Sequence, residues 1–226
     1  MKKNCLLNPE NIALVLTGTE KGPDFIDSIK KAGWVELRID IFLKNYRHRD
    51  PIKWVKNIRL ITPSKLIATI RWHRERQDKF FRIPENYRLQ LYKDILPFVD
   101  FVDVEIRSRI APLLIKEAKK KNKKIIASYH NFQTMPSEDI LTHLCNQAKN
   151  LKADMVKIAV IAKEEKSLFR LITLINKQKK NIPMIVIPMG SNLLQRLVPL
   201  AFGCQFTYAA FNKKTGPGQP EIREII

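Results

Sequence analysis

The chain has 226 residues, with 41 lysines and arginines against 22 aspartates and glutamates, a formal net charge of +19. Hydrophobic residues at 45% and charged ones at 28% exclude a disordered chain, and no apolar run approaches the roughly 18 residues of a membrane span. Three cysteines, Cys5, Cys145 and Cys204, lack metal-ligand spacing, which excludes a disulfide framework and fits a reducing cytoplasm.

Taken in chain order, short β-rich segments alternate with longer stretches of helical periodicity. Strands are expected at residues 12–17, 34–40, 66–71, 101–106, 124–130, 155–160, 184–189 and 205–211. Amphipathic helices are expected at 111–121, 136–149 and 163–179. In the second of these Ile140, Leu141, Leu144 and Ala148 recur at helical spacing, and Ser137 with Asp139 supplies a start signal. Repeated alternation of this kind predicts parallel strands joined by right-handed crossovers. The fold class expected is therefore α/β, a compact (β/α)8 TIM barrel forming a single domain over residues 1–226. No G-x-G-x-x-G follows the first strand and no Walker-type loop occurs, so neither nucleotide-binding fingerprint is present.

The charge raises nucleic-acid binding first. Its distribution argues against a specific site. The lysine runs at 119–124 and 177–180 close helical patterns, where cations offset the helix macrodipole, and they lie on the N-terminal face of the expected barrel. No zinc-finger, RRM-like or KH-like pattern accompanies them, so no specific nucleic-acid partner and no membrane partner is expected.

Barrel strands are buried on both faces and should read as apolar runs. Several here carry polar residues toward their C-terminal ends. Strand two reads Val35-Glu36-Leu37-Arg38-Ile39-Asp40, with Glu36 and Arg38 on one face and able to satisfy each other. Strand three ends in Arg71, followed by Glu75; strand four carries Asp103 and Glu105; strand five ends in Tyr129-His130. Strand six holds Lys157 among Val156, Ile158, Ala159 and Val160. An unpaired lysine in such a place is costly, and either a partner such as Asp103 or Glu105 offsets it or the lysine has a chemical use. An apolar setting lowers an amine's pKa and frees it to attack a carbonyl. His130 can move protons near neutral pH, and Arg38, Arg71 and Arg196 offer forked donors to an anion. His48 and His73 sit in polar, arginine-rich segments and read as solvated, and Cys204 reads as a small core hydrophobe.

These residues, in this order, resemble type I 3-dehydroquinate dehydratase, a Schiff-base enzyme of the shikimate pathway and aromatic amino acid biosynthesis. The pieces carrying the resemblance are Glu36-Leu37-Arg38-Ile39-Asp40, Thr69-Ile70-Arg71 with Glu75, Ser128-Tyr129-His130-Asn131-Phe132, Val156-Lys157-Ile158-Ala159, Met189-Gly190 with Arg196, and Thr215-Gly216-Pro217-Gly218-Gln219. The resemblance implies a lyase that dehydrates 3-dehydroquinate through an imine on Lys157. It makes His130 the general acid–base group and Glu75 the carboxylate that orients and polarises it. Arg196 then binds the substrate carboxylate, and Glu36, Arg38, Arg71, Thr215 and Gln219 hold hydroxyls or carboxylate. No cofactor and no metal are implied. The loop at 213–219 is expected to close over the substrate. A homodimer in the cytoplasm is also implied.

Three departures accompany the resemblance. Val15 stands where family members often have serine, and Thr215 stands at a loop position commonly held by serine. Both ends look short for the family, with little chain before strand one for a hairpin under the barrel and residues 220–226 too few for a full eighth helix. A neighbouring chain, or a longer protein containing this part, would accommodate that. The rival enzyme reading is a class I Schiff-base aldolase on the same barrel. It shares the strand-six lysine but usually takes phosphorylated sugars, for which Met189-Gly190-Ser191 is a thin phosphate site.

Overall fold

A computed structural model describes residues 8–76 and 81–225. Cys5, for which the sequence shows no partner, lies outside the described residues. Eight parallel strands form one sheet in the order β7-β6-β5-β4-β3-β2-β1-β8. They are β1 Ile12–Leu16, β2 Trp34–Arg38, β3 Lys65–Thr69, β4 Phe101–Glu105, β5 Lys124–Asn131, β6 Met155–Ile161, β7 Met184–Met189 and β8 Thr207–Ala210. The sheet curls into a nearly closed barrel. At the β7–β8 seam the Gln205 amide donates to the Met184 carbonyl at 2.9 Å. The helices packed outside are α1 Phe25–Lys31, α2 Ile39–Asn45, α3 Pro51–Ile61, α4 Glu85–Ile95, α5 Ala111–Lys120, α6 Glu138–Asn150, α7 Glu165–Gln178 and α8 Leu193–Ala201. None is long and apolar enough to cross a membrane.

The expected strands match to within a few residues, with one instructive difference. The alternation through Asp40 predicted a strand to residue 40, but α2 begins at Ile39. Asp40 turns inward there and takes a two-pronged contact from Arg38, Nε at 3.0 Å and Nη2 at 2.9 Å. Arg38 therefore pairs with Asp40, two residues along the chain, rather than with Glu36.

Residues on alternate strands of such a barrel fill the interior in layers. Trp34, Phe101 and Met155 from the even strands, with Phe206 immediately before β8, form an apolar layer near the strand starts. Trp34 lies 5.0 Å from Phe101 and 4.4 Å from Phe206 between ring centroids. Lys65 and Lys124 place their ammonium groups over the Trp34 and Phe101 rings. This plug closes the barrel's lower end from within. Two residues further along each even strand, a side chain again points inward. Those four are Glu36, Asp103, Lys157 and Tyr208, and this polar layer is the floor of the site.

Candidate active site

A cavity of about 250 Å³ opens above that layer at the C-terminal ends of the strands, the end where catalytic groups of such barrels collect. Glu36, Arg38, Arg71, Glu75, His130, Lys157, Arg196, Thr215 and Gln219, all singled out in the sequence, border it. Val15, Ala159 and Ile187 supply apolar wall between them.

Lys157 is only 4% exposed. Its setting is ionic, which corrects the apolar environment expected from Val156 and Ile158. Alternation in β6 sends those neighbours outward, and residues from other strands surround the amine. Nζ lies 2.9 Å from Asp103 Oδ2, 3.3 Å from Glu36 Oε1 and 4.0 Å from the Tyr208 ring centroid. Thr69 Oγ1 donates to the same Glu36 oxygen at 2.9 Å.

Arg71 ties this floor together. Its Nη1 reaches Asp103 Oδ1 at 2.9 Å, Glu105 Oε1 at 3.0 Å and Ser128 Oγ at 2.8 Å, while Nη2 reaches Asp103 Oδ2 at 3.1 Å. Behind it, Arg88 Nη2 donates to Glu105 Oε2 at 2.6 Å. Burial works against the Arg71 charge, but Asp103 and Glu105 more than offset it, so its pKa rises well above the ordinary value. Burial likewise pushes Asp103 up, and Arg71 and Lys157 override it to hold the carboxyl far below the usual range. Arg71 borders the cavity with most of its donors already taken by protein.

His130, at the end of β5, meets Glu75 from the short turn His73–Glu75 after β3. Glu75 Oε2 accepts the His130 backbone N–H at 2.8 Å and lies 3.3 Å from the ring Nδ1. The Phe132 ring stacks on the imidazole, 6.3 Å between centroids. Burial, then the positive charges of Arg71 and Lys157, holds the imidazole pKa well below its ordinary value. Burial, then the nearby charge of Glu105, raises Glu75 to about 8. Among the described residues Glu75 Oε1 is buried without a hydrogen bond, as a neutral carboxyl tolerates better than an ionised one. Both shifts favour the uncharged forms, a carboxylic acid beside a neutral imidazole.

Arg196 lies in the first turn of α8, whose start is fixed by the Asn192–Gln195 capping box. It is buried, and its Nη1 donates to the Pro217 carbonyl at 3.2 Å. Its Nε has no hydrogen-bond partner, and among the described residues no carboxylate pairs with it. Burial alone pulls its pKa down to about 10. A buried cation without a counter-charge is the chemistry that an anion would satisfy.

The loop after β8 lies against that arginine. Gln219 Oε1 accepts from the Thr215 backbone N–H at 2.6 Å and its hydroxyl at 2.9 Å, which folds the loop on itself. Gly218 has φ +68°, and a Cβ there would fall 2.6 Å from the Ser191 carbonyl oxygen, so only glycine fits. The Gly190 amide donates to the Pro217 carbonyl at 3.2 Å and Ser191 Oγ to the Pro188 carbonyl at 2.7 Å. The Gly190 amide and the Ser191 hydroxyl of the thin phosphate site are thus already engaged within the protein, which weakens the aldolase reading.

Of the other histidines, His48 is exposed as expected and His143 is exposed on α6, whereas His73 is half-buried, its buried Nδ1 without a hydrogen bond among the described residues. Tyr208 was missed in the sequence. The alternation of Phe206, Tyr208 and Ala210 in strand eight is the signal that places it inside the barrel.

The likeness to known proteins follows this geometry. The 3-dehydroquinate dehydratase of Thermodesulfovibrio yellowstonii is 31% identical over 222 residues, covering 98% of this chain and 95% of that protein. A type I 3-dehydroquinate dehydratase from Clostridium difficile, solved with covalent modified comenic acid, superposes with a TM-score of 0.75 at 30% identity, covering 95% of this chain and 88% of the other. The 3-dehydroquinate dehydratase structure from Geobacillus kaustophilus reaches a TM-score of 0.82 at 23% identity, covering 95% and 87%, which speaks to the fold alone. Residues 10–226 match the family described as type I 3-dehydroquinase, and with the barrel, the strand-six lysine and this coverage together, the chain belongs to the type I 3-dehydroquinase family.

Proposed function

We infer that this chain dehydrates 3-dehydroquinate to 3-dehydroshikimate through an imine on Lys157, as a lyase of the shikimate pathway. The observation that carries the reading is the pairing of two buried cations on one cavity. Lys157 is a primary amine held at the floor, and Arg196 is a guanidinium with which no carboxylate pairs among the described residues. A small molecule with a ketone at one end and a carboxylate at the other satisfies both.

In this reading Arg196 takes the substrate carboxylate in a charge-assisted contact. The Lys157 amine attacks the ketone carbon, the carbinolamine loses water, and a protonated imine forms. That cation draws electrons from the adjacent carbon, which gives up a proton; the hydroxyl beyond then leaves as water, and hydrolysis of the imine returns the lysine. His130 handles the protons, since an imidazole held neutral by its surroundings is free to accept one. Glu75 positions that ring. Glu36 and Arg38 line the cavity where substrate hydroxyls lie, and the loop bearing Thr215 and Gln219 closes the mouth and excludes water. Arg71 acts chiefly by fixing Asp103 and Glu105.

Borohydride reduction in the presence of 3-dehydroquinate, followed by peptide mass analysis, tests this. A substrate-derived mass on Lys157 is expected, and Lys157→Ala should be unlabelled and inactive while still folded; no mass on Lys157 in the unmodified protein refutes the reading. A cytoplasmic homodimer of one-domain chains belongs to the same proposal, and a sizing measurement giving the mass of one chain would refute the dimer.

A further inference from the structure

The interior layer that holds Lys157 has a fourth member with no role so far. Glu36, Asp103 and Lys157 come from β2, β4 and β6, and Tyr208 of β8 completes the layer. The Tyr208 side chain is buried, with Lys157 Nζ 4.0 Å from its ring centroid. Its hydroxyl makes no hydrogen bond among the described residues. A buried hydroxyl without a partner is destabilising, so hydrogen bonding does not account for an aromatic residue here. What the position uses is the ring face, which attracts a cation through its quadrupole, most strongly away from water.

Imine formation makes this contact distinctive. An ammonium and a ketone give a protonated imine and water, so the positive charge stays on the nitrogen while its N–H bonds fall from three to one. Asp103 at 2.9 Å and Glu36 at 3.3 Å are hydrogen-bonded partners, and a single N–H serves only one of them. A ring face needs no hydrogen.

We propose that Tyr208 is a further catalytic residue of this site, its ring holding the positive charge on the Lys157 nitrogen through the imine stage. This rests on the reading of Lys157 as the imine-forming lysine. It predicts a dependence on the ring's electron density at constant shape.

The test replaces Tyr208 in the full chain with phenylalanine and with its mono-, di- and trifluorinated analogues, which keep the ring's outline while draining its face of negative potential. From phenylalanine to the trifluoro form, kcat should fall stepwise by roughly 10- to 30-fold while KM moves less than about threefold. Borohydride with 3-dehydroquinate should label Lys157 throughout the series. A flat series in proteins that still label Lys157 overturns the role of the ring alone. An unmodified protein that is not labelled at Lys157 overturns the imine reading itself, and this proposal with it.

Discussion

Arg71, just past the end of β3, and Arg196, in the helix α8 that follows β7, are both buried against one cavity, yet their surroundings are opposite. Asp103, Glu105 and Ser128 saturate Arg71, and its charge is strongly favoured. Arg196 meets a carbonyl oxygen and, among the described residues, no carboxylate, and its charge is disfavoured by burial. A cation whose counter-charges come from the protein is part of the scaffold. One without them leaves the balance to a ligand. The floor is therefore built before substrate arrives, and the wall at α8 is completed by it.

His130 sits between these regions and should show the largest effect. His130→Ala is expected to lower kcat by roughly 10²- to 10⁴-fold, the scale of a lost acid–base group. Steady-state turnover decides this, and full activity would sink the assignment. Next, Arg71→Met should reduce the unfolding free energy by about 3–5 kcal/mol, because it removes the cation shared by two buried carboxylates and leaves Asp103 with Lys157, and Glu105 with Arg88, as the remaining counter-charges. Denaturant melts at neutral pH measure it; a loss no larger than for an ordinary surface change would break the comparison on the floor side.

Arg196→Met should behave in the reverse sense. Removing an uncompensated buried cation should leave the melting midpoint no lower, while KM for 3-dehydroquinate rises roughly 10- to 100-fold through the lost charge-assisted contact. A destabilised protein with unchanged KM would show that Arg196 is scaffold after all.

A further effect concerns pH. Glu75 titrates at about 8 in the fold against 4.5 ordinarily, so between those values the native state holds a proton that the unfolded chain has released. Its contribution to stability is complete below about 4.5 and is lost as pH rises through about 8. His130 acts in the opposite sense: its lowered pKa contributes stability above 6.5 that is lost as pH falls. Glu75→Gln should thus flatten the decline of stability between pH 5 and 8 in melts done at several pH values. An unchanged slope would mean that Glu75 is ionised.

The strands were readable because each is a short apolar run bounded by helical periodicity. The site residues were readable because polar side chains interrupt those runs near strand ends. Two features were hidden for identifiable reasons. The alternation in Val35-Glu36-Leu37-Arg38-Ile39-Asp40 continues unbroken into α2, so nothing local marks where the strand stops. Tyr208 is chemically ordinary within an apolar strand and acquires meaning only from what lies across the barrel.

By itself, the sequence determined the alternation, the inward positions and the kinds of chemical group at the strand ends, since those depend on residues two to four apart. The tertiary structure decided the charge environment of each group. In a strand the immediate neighbours of an inward side chain face out, so Lys157 takes its surroundings from Asp103, 54 residues away, and Glu36, 121 residues away. Electrostatics acts through space, and only closure of the barrel brings those residues within reach.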